Sequence, residues 1–408
     1  MPSRDQVAVI QQTVPALQQY GEQLARHMYA RMFAHNPEVR RYFNPAHQRT
    51  GQQQKALSDA VCAYAANIDH PTALEGAVEL IAHKHVSLGI APEHYPIVGR
   101  HLLASIREVL GPAATDDVID AWATAYDELA HLFIERERQL YAEQLRDHGW
   151  TGFKPFVVTE RETVAENVVS LYLAPLDQRS LACHKPGRYI AIHQAPAAGE
   201  SAPRHYSLSN APGTPYYRIS IKYETADSSE TPSGMFSSFA HEQLKTGDHV
   251  QVSPPCGQFT LELPEQPMRP LVLIAGGIGI TPLLSMLHAA LAEPGDRPLV
   301  LIQAVRDRDR RPFAAEIDAL AYQHPRLQVH ICYSAPGDGD LAVADVSASE
   351  GYVSDSLLER ALGDAAADYY FCGPRPMMAG VAELLRDRGV PQEAVHYEFF
   401  GPAGTETA

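Results

Sequence analysis

The chain has 408 residues, and at about 150 residues per domain this length predicts two or three domains. With 45% hydrophobic and 20% charged residues, its composition is that of an ordinary globular protein. The net charge of −16 argues against a nucleic-acid partner, because phosphate contacts need clustered lysine and arginine side chains.

Membrane and secretory signals are not evident in the sequence. The longest apolar runs are strand-sized, well short of the roughly 20 residues that a membrane-spanning helix needs. Residues 1–13 are polar and carry no signal-peptide core. The five cysteines are scattered and form no CxxC pair, which predicts reduced thiols and neither a disulfide framework nor a zinc site. We therefore expect a cytoplasmic protein.

The first third of the chain, up to about residue 147, has the apolar spacing of amphipathic helices and no convincing strand. Ser3 is placed to cap a first helix, and Asn36 and Pro37 begin a short one. The predicted helices span 3–19, 21–34, a short segment from 36, 52–68, a segment around His85, 92–110 and 115–145. This part of the chain therefore predicts an all-α domain.

His85 lies in a helical stripe of apolar residues with spacings of four and three, which places the stripe on one helix face. Its apolar members are Leu74, Val78, Ile81 and Leu88. Such an imidazole is either a hydrogen-bonded core residue or a ligand. A neutral imidazole facing an apolar cavity is what a haem iron requires.

From Trp150 onward the apolar period changes to two, with Gly and Pro turns between short segments. The predicted strands span 156–159, 168–173, 189–193, 217–223 and 249–253. This pattern is typical of a small antiparallel barrel. Pro264, Pro267 and Pro270 then mark a linker.

The last third alternates strands and helices. The predicted strands span 271–275, 299–305, 328–333 and 368–372, and the predicted helices 282–291, 313–323, 354–362 and 376–388. Alternation of this kind predicts a parallel sheet with helices on both faces.

Two glycine-containing loops follow strands of that sheet. Residues 276–282, Gly-Gly-Ile-Gly-Ile-Thr-Pro, open a helix, and residues 371–374, Phe-Cys-Gly-Pro, end another strand. Glycine lets the backbone approach a ligand closely, and a helix N-terminus favours negative charge. One such loop is often only a tight turn, but two at the carboxyl ends of parallel strands line the crevice where ligands bind. We therefore expect a nucleotide there.

The barrel segment carries the motif Arg-His-Tyr-Ser-Leu-Ser at 204–209. An arginine can pair with a pyrophosphate, a tyrosine can pack on a flavin ring, and a serine can hydrogen-bond the ring edge. The segments Pro-Gly-Arg-Tyr at 186–189 and Gly-Met-Phe-Ser at 234–237 flank it. The alternative without a ligand is an exposed strand with a salt bridge.

Taken with His85, these motifs make the whole chain resemble a flavohaemoglobin. The resemblance covers about residues 6–402 and implies a multidomain protein: an all-α globin haem domain at 1–148, an antiparallel β-barrel FAD-binding domain at 149–266, and an α/β parallel-sheet NAD(P)-binding domain at 267–408.

The resemblance implies roles around a haem b group. His85 corresponds to the proximal iron ligand, and Tyr95 and Glu137 to partners that hydrogen-bond around it and make it more basic. Lys84 corresponds to a residue near the haem–flavin contact.

On the distal side, Tyr29 corresponds to the tyrosine whose hydroxyl would hydrogen-bond bound oxygen. Gln53, between Gln52 and Gln54, corresponds to the distal glutamine, and Phe43 to the aromatic packed on the porphyrin.

The reductase part has its own implied contacts. The FAD contacts would be Tyr189, Arg204, His205, Tyr206 and Ser207; the nicotinamide-nucleotide loop Gly277, Ile278, Gly279, Ile280, Thr281 and Pro282; and the C-terminal flavin segment Phe399, Phe400, Gly401 and Pro402. In that last segment an aromatic ring would cover the flavin until nicotinamide displaces it.

The sequence departs from the family pattern in three places. Ile280 stands where family members frequently have glutamine, which removes a polar cofactor contact. Phe399 stands where cysteine is frequent. The insert at 224–233 has no counterpart in shorter members, and we expect a surface loop.

The family's activity is oxygen-dependent conversion of nitric oxide to nitrate, with electrons passing from NAD(P)H through FAD to haem. We expect O2 and nitric oxide as small-molecule partners and a monomer. Two alternatives remain: a haem oxygen store or sensor, and a reductase of ferric chelates, quinones or hydroperoxides. Four arginines, Arg306, Arg308, Arg310 and Arg311, follow a nucleotide-domain strand, where they would meet the 2′-phosphate of NADPH or form a solvated turn.

Overall fold

The computed structural model describes residues 2–44, 48, 50–194, 202–224, 235–262, 269–341, 347–363 and 365–400. Within these ranges the α-helices are α1 (Arg4–His35), α2 (Gln52–Ala66), α3 (Glu75–Leu88), α4 (Tyr95–Leu110), α5 (Asp116–His148), α6 (Met235–Glu242), α7 (Ile280–Ala292), α8 (Ala314–Gln323), α9 (Asp355–Leu362) and α10 (Arg375–Asp387). Short 3₁₀ helices lie at Pro37–Tyr42, Pro71–Leu74, Pro92–His94, Gly111–Ala113, Gly277–Gly279, Arg308–Arg310 and Gln392–Ala394.

The strands form two sheets. They are β1 (Lys154–Ala165), β2 (Val168–Pro175), β3 (Tyr189–His193), β4 (Arg204–Ser207), β5 (Tyr217–Lys222), β6 (His249–Val252), β7 (Leu271–Gly276), β8 (Leu299–Val305), β9 (Leu327–Tyr333), β10 (Ser347–Glu350), β11 (Asp368–Cys372) and β12 (Val395–Glu398). No helix in the described ranges combines the length and the apolar character needed to cross a membrane.

The N-terminal domain is all-α, as predicted, but its first helix is continuous. We expected two helices separated near Tyr20, whereas α1 runs for 32 residues with Pro15 inside it. Ile10, Leu17 and Leu24 are buried on one side of α1, so packing along the whole helix outweighs the cost of an internal proline. Gly21 permits close contact with α2, since a Cβ atom there would lie 2.2 Å from the Ser58 hydroxyl.

The second part is an antiparallel sheet of strand order β4-β3-β6-β1-β2-β5. A bridge between Leu208 and Ile219 joins the end following β4 to β5, so the sheet closes on itself as a barrel. Alternating side chains fill its interior, among them Phe156, Leu171 and Ile190. The barrel places β3 and β4 next to the globin domain.

The third part is a parallel sheet of order β10-β9-β8-β7-β11-β12, with every adjacent pair parallel. The chain runs outward from β7 through β8, β9 and β10, then returns to the other side of β7 with β11. The carboxyl ends of β7 and β11 therefore form the switch point at which such sheets bind ligands. The edge strands β10 and β12 were not predicted. The boundaries predicted at 148/149 and 266/267 stay predictions, and the second lies outside the described residues.

Candidate functional site

Three helices bring His85 together with Tyr95 and Glu137. His85 lies in the last turn of α3, Tyr95 begins α4, and Glu137 lies within α5. The His85 Nδ1 atom lies 2.7 Å from Glu137 Oε1 and 3.1 Å from the Tyr95 hydroxyl. The Tyr95 hydroxyl also donates to Glu137. Because a carboxylate only accepts, Nδ1 carries the imidazole proton, and Nε2 is left with a lone pair.

The surroundings hold this arrangement in place. Glu137 is only 2% exposed, whereas the His85 side chain is 33% exposed. Burial, together with the negative charge of Glu137, raises the pKa of Tyr95 far above its usual range, so the phenol stays protonated and remains a donor. Gly89, with a φ of 78°, ends α3 and lets the chain turn toward α4.

The helical stripe predicted around His85 is only partly the buried face. Leu74 lies in the 3₁₀ helix before α3, and the residues of α3 that are buried include Val78, Ala82 and Val86. His85 is offset from them by one position, so its ring lies at the boundary between the core and a less covered face.

The three distal residues predicted from the resemblance also lie together. The ring centroids of Tyr29 and Phe43 are 5.5 Å apart. Burial raises the pKa of Tyr29 well above its usual range, and a hydrogen bond with Gln53 partly offsets this effect. Gln53 accepts a 3.0 Å hydrogen bond from Gln48, a contact that the sequence did not suggest. The Tyr29 partner is thus Gln53, whereas Gln54 hydrogen-bonds Gln48.

Burial keeps the Tyr29 phenol protonated at neutral pH, so its hydroxyl remains a hydrogen-bond donor.

In the barrel, Arg204 is a partly buried cation that, among the residues that the structure describes, donates to main-chain oxygens. Its guanidinium reaches the carbonyl oxygens of Ala202 at 2.7 Å and Pro203 at 3.2 Å. Burial lowers its pKa, and no carboxylate of the described chain lies within ion-pair distance. A partly buried guanidinium in this state suits a phosphate ligand.

The remaining residues of the motif contact both the FAD-binding domain and the globin domain. Tyr206 packs against Phe236, with ring centroids 5.8 Å apart, and Ser207 is buried. His205 instead contacts the globin domain, since its Nε2 lies 2.7 Å from the hydroxyl of Ser87 on α3. Its ring also packs on Tyr189, with centroids 4.8 Å apart. The motif thus lies against both the barrel interior and the helix of His85.

Lys84 faces a carboxylate that the sequence analysis did not select. Burial raises the pKa of Glu398, at the end of β12, to about 7, and the charge of Lys84 partly offsets this rise. Burial lowers the pKa of Lys84, which Glu398 in turn opposes. Glu398 directly precedes the predicted flavin segment at 399–402, and its position beside that motif is the signal that could have identified it.

The two glycine loops meet at the switch point, as the topology requires. A Cβ atom on Gly279 would lie 2.2 Å from the carbonyl oxygen of Cys372, and one on Gly276 would lie 2.6 Å from Pro374. Gly277 has a φ of 50°, which glycine adopts at little cost. The loops leave backbone, without side chains, at the carboxyl ends of β7 and β11.

The side chains of the other residues predicted for the nucleotide loop lie in different surroundings. Ile280 is 0% exposed and packs in the core below the sheet, as does the neighbouring helix residue Leu283. The hydroxyl of Thr281 donates to the carbonyl oxygen of Ile278. Pro282 is buried in the first turn of α7. Only the main chain of this turn is therefore well placed to meet a nucleotide.

At the C-terminal end of the described chain, Phe399 lies under the Arg375 guanidinium, 5.0 Å from ring centroid to Cζ. Phe400 is 45% exposed. Gly401 and Pro402 lie outside the described residues, as does most of the insert at 224–233.

The arginines after β8 are partly paired. Arg311 is buried and forms a bidentate contact with Asp318, at 2.5 and 3.0 Å. Arg310 pairs with Asp307 at 2.7 Å and Glu166 at 3.0 Å. Arg306 lies 3.8 Å from Asp307. These ion pairs favour a structured turn at Arg310 and Arg311 over a site for a 2′-phosphate.

Three family models match the chain in the predicted order. A globin model matches residues 26–133, an oxidoreductase FAD-binding domain residues 155–261, and an oxidoreductase NAD-binding domain residues 273–383. The order confirms the predicted sequence of a globin, a flavin module and a nucleotide module.

Full-length relatives and a solved structure support the same assignment. The flavohemoprotein of Rhodopirellula baltica is 43% identical over 98% of each chain, and that of Bordetella pertussis is 45% identical over 97% of this chain and 98% of its own. The crystal structure of flavohemoglobin from Malassezia yamatoensis, with bound FAD and heme, is 28% identical with a TM-score of 0.81, covering 98% of this chain and 99% of that one. The chain belongs to the flavohaemoglobin family.

Proposed function

We propose that this protein is an NAD(P)H-dependent nitric oxide dioxygenase that uses FAD and haem b. The observation that carries the proposal is the His85–Glu137–Tyr95 arrangement on a helix that also contacts the flavin motif through Ser87. A structure described as the flavohem-like FAD/NAD-binding domain of nitric oxide dioxygenase from Vibrio cholerae is 31% identical, with a TM-score of 0.54, over 61% of this chain and 99% of that one.

The residues around His85 fit a haem. The Nδ1 proton is committed to Glu137, so Nε2 is the nitrogen for iron. Tyr29 and Phe43 supply aromatic surface for the opposite face. Arg204, with its charge unmatched by a carboxylate of the described chain, fits the FAD pyrophosphate, while Tyr206 and Ser207 fit the isoalloxazine ring. The glycine turn at 277–279 fits the nucleotide.

When bound, these groups supply hydride transfer from NAD(P)H, one-electron transfer through the flavin, and oxygen binding at iron. The protein's own residues control the environment. Glu137 shares the His85 proton and thereby makes the imidazole a stronger electron donor. The Tyr29 hydroxyl, which burial keeps protonated, would donate to negative charge that develops on the distal side.

This geometry favours dioxygenase chemistry over oxygen storage. A store or sensor also needs an imidazole ligand, but it gains nothing from a carboxylate that accepts the imidazole proton and pushes electron density toward the iron. A second candidate, a reductase of ferric chelates, quinones or hydroperoxides, needs the flavin and nucleotide modules alone. An assay of oxygen-dependent nitrate formation can therefore reject it.

The proposed partners are O2 and nitric oxide, both small and uncharged. We also propose a monomer in the cytoplasm. The net charge of −16 supports a monomer, because like charge opposes self-association. The five cysteines are all free, which supports a reducing compartment.

The proposal is tested by nitric oxide consumption in the presence of NADH, with and without oxygen. We expect rapid consumption with oxygen, nitrate as the product, and little consumption without oxygen. A flavin-retaining His85→Ala variant serves as the control, and we expect it to oxidise NADH slowly and to form no nitrate. Equal aerobic and anaerobic rates, or NADH oxidation without nitrate, would reject the dioxygenase in favour of one of the alternatives.

A further inference from the structure

Arg218 connects the FAD-binding barrel to the NAD(P)-binding domain. It lies on β5 of the barrel, and its side chain is only 7% exposed. Its guanidinium contacts Glu316 on α8, with Nη1 2.8 Å from Oε2 and Nη2 3.1 Å from Oε1. Two N–H···O bonds between a planar fork and a carboxylate fix orientation as well as distance. This pair therefore limits how one domain can rotate on the other.

Within the barrel, Arg218 is bound to the flavin motif. Its Nε donates to the hydroxyl of Ser209 at 3.0 Å, and its Nη2 donates to the Ser209 carbonyl oxygen at 2.8 Å. Ser209 is 0% exposed and is the last residue of the motif at 204–209. The Arg218 amide also donates to the side-chain oxygen of Asn210, at 2.8 Å. The guanidinium is thus fixed to the segment that carries the proposed flavin contacts.

In the other domain, Glu316 contacts the helix that follows the nucleotide turn. Nε2 of His288, on α7, lies 2.7 Å from Glu316 Oε1. Burial raises the pKa of Glu316, but hydrogen bonds with His288 and Arg218 outweigh this effect. The pKa therefore lies below its usual value, and the carboxylate is charged at neutral pH. His288 lies about two turns beyond the start of α7, which the glycine turn at 277–279 precedes. A continuous set of contacts therefore joins the flavin motif to the proposed nucleotide site.

Phe313 holds backbone strain at the same junction. It is 3% exposed, and its φ of 59° is a left-handed conformation that a bulky residue adopts only at a cost. Its ring centroid lies 4.8 Å from Cζ of Arg218, and its amide donates to the carbonyl oxygen of Val164 on β1, at 3.2 Å. Strain of this kind persists only where surrounding contacts determine the conformation. Here those contacts come from the barrel, so the start of α8 is held against it.

We propose that Arg218 is a positioning residue for hydride transfer: through its pair with Glu316 it sets the orientation of the NAD(P)-binding domain on the FAD-binding barrel. The hydride leaves NADH, which becomes NAD⁺, and reduces FAD by two electrons. The reacting atoms must come within about 3–3.5 Å, and a misplacement of about 1 Å costs on the order of a hundredfold in rate.

Transfer from flavin to haem should not depend on Arg218. The globin helix α3 and the flavin motif meet at a different contact, that of Ser87 with His205. The inference rests on the flavin and nucleotide chemistry of the proposed function and not on its nitric oxide chemistry. The two electron-transfer steps can therefore be measured separately.

The test mixes the holoenzyme with NADH in a stopped-flow instrument, without oxygen or nitric oxide. Glu316→Gln keeps the shape of the side chain but removes its charge, and we expect it to lower the limiting rate of flavin reduction on the order of tenfold. Half-saturation by NADH should change much less, because Glu316 lies outside the nucleotide turn. Flavin-to-haem transfer, measured after photochemical reduction of the flavin, should keep the parent's rate. Loss of folded protein alone would lower amplitudes and leave these rates unchanged.

The matched control is Asp318→Asn, two residues further along α8. Asp318 forms an equally bidentate pair with Arg311, but both residues belong to the NAD(P)-binding domain. We expect this variant to reduce its flavin as the parent does. Should Glu316→Gln fail to fold, Arg218→Lys keeps the charge and removes the fork, and it should slow flavin reduction while sparing flavin-to-haem transfer.

Amide hydrogen exchange provides a second readout that does not depend on turnover. The Phe313 amide should exchange several-fold faster in Glu316→Gln than in Asp318→Asn, because its bond to Val164 joins the two domains. Equal rates of flavin reduction in these two variants, equal slowing of both electron-transfer steps, or equal exchange at Phe313 would overturn the proposal. A parent protein that reduces its flavin and haem but forms no nitrate would reject the proposed function alone.

Discussion

The hydroxyl of Ser87, two residues beyond His85, lies 2.7 Å from Nε2 of His205 in the flavin motif. Ser87 donates its own hydrogen to the carbonyl oxygen of Lys84, at 2.8 Å, so it accepts from His205. This assigns the Nε2–H tautomer to His205. One hydrogen bond therefore connects the helix of the proposed iron ligand directly to the strand of the proposed flavin site.

Ser87→Ala is expected to slow electron transfer from flavin to haem. Removal of this bond takes away one hydrogen bond between the globin domain and the flavin motif and costs on the order of 1 kcal/mol of docking energy. Stopped-flow haem reduction by NADH measures the effect, while the haem spectrum and the flavin content should stay unchanged. Ser105→Ala is the matched control, because Ser105 is equally buried but bonds His27 within the globin domain. Equal slowing in both variants would mean that the Ser87 contact has no special part in the transfer.

Arg204→Ala and Tyr206→Ala should each weaken FAD binding and spare haem. The Arg204 variant loses a charge-assisted contact to phosphate worth about 1.5–3 kcal/mol, and the Tyr206 variant loses a stacking surface. The flavin-to-haem ratio after dialysis measures the result, with Arg179→Ala as the exposed control. An unchanged ratio in both variants would place the flavin elsewhere.

Tyr29→Phe should speed the release of oxygen from the reduced protein more than it slows haem reduction. Burial keeps the phenol protonated and able to donate, and losing one hydrogen bond to a charged acceptor costs about 1.5–3 kcal/mol. That corresponds to roughly 10- to 100-fold in oxygen retention. Stopped-flow rates of oxygen release and of haem reduction separate the two effects. If oxygen release matches that of the parent, the distal role belongs to another residue, with Gln53 the first to be tested.

Protonation of the buried His184 should lower the free energy of unfolding at acid pH. His184 is buried in the barrel, and burial, with a smaller effect from His148 and Arg188, lowers its pKa to about 4. The unfolded histidine titrates near pH 6.5, so between about pH 6.5 and 4 the unfolded state binds more protons, and stability is lost as the pH falls. The loss from about pH 7.5 to about pH 5 is on the order of 2 kcal/mol.

His184→Gln should therefore narrow the gap between the thermal midpoints of flavin release measured at these two pH values. His70→Gln is the control, because the His70 side chain is 75% exposed. A gap as wide in the His184 variant as in the parent would assign the acid sensitivity to other groups.

Local pattern was enough to predict most elements of the fold, because apolar period and turn residues act over short distances. His85 was placed on a helix, and the glycine turn at 277–279 was placed between a buried strand and a helix, as the structure has them. The continuous α1 was not predicted, because Pro15 and Gly21 are local breakers whose cost is offset by contacts with α2 that lie far along the chain.

The candidate site depended more on resemblance than on pattern. Glu137 lies 52 residues beyond His85, and Ser87 and His205 are 118 residues apart, so no local rule pairs them. Glu398 and Gln48 went unnoticed for the same reason. The burial of Ile280 in the core likewise depends on how α7 packs against the sheet, which the spacing of residues in the loop does not reveal.

The measurement that tests the central claim most directly is the stoichiometry of aerobic turnover. Nitric oxide plus oxygen requires one electron to become nitrate, and NADH supplies two. We therefore predict one nitrate for each nitric oxide consumed and one NADH oxidised for every two nitrate ions formed, in protein that carries both haem and flavin. NADH oxidation without nitrate would contradict the account, and so would nitric oxide loss that continues at the same rate when oxygen is removed.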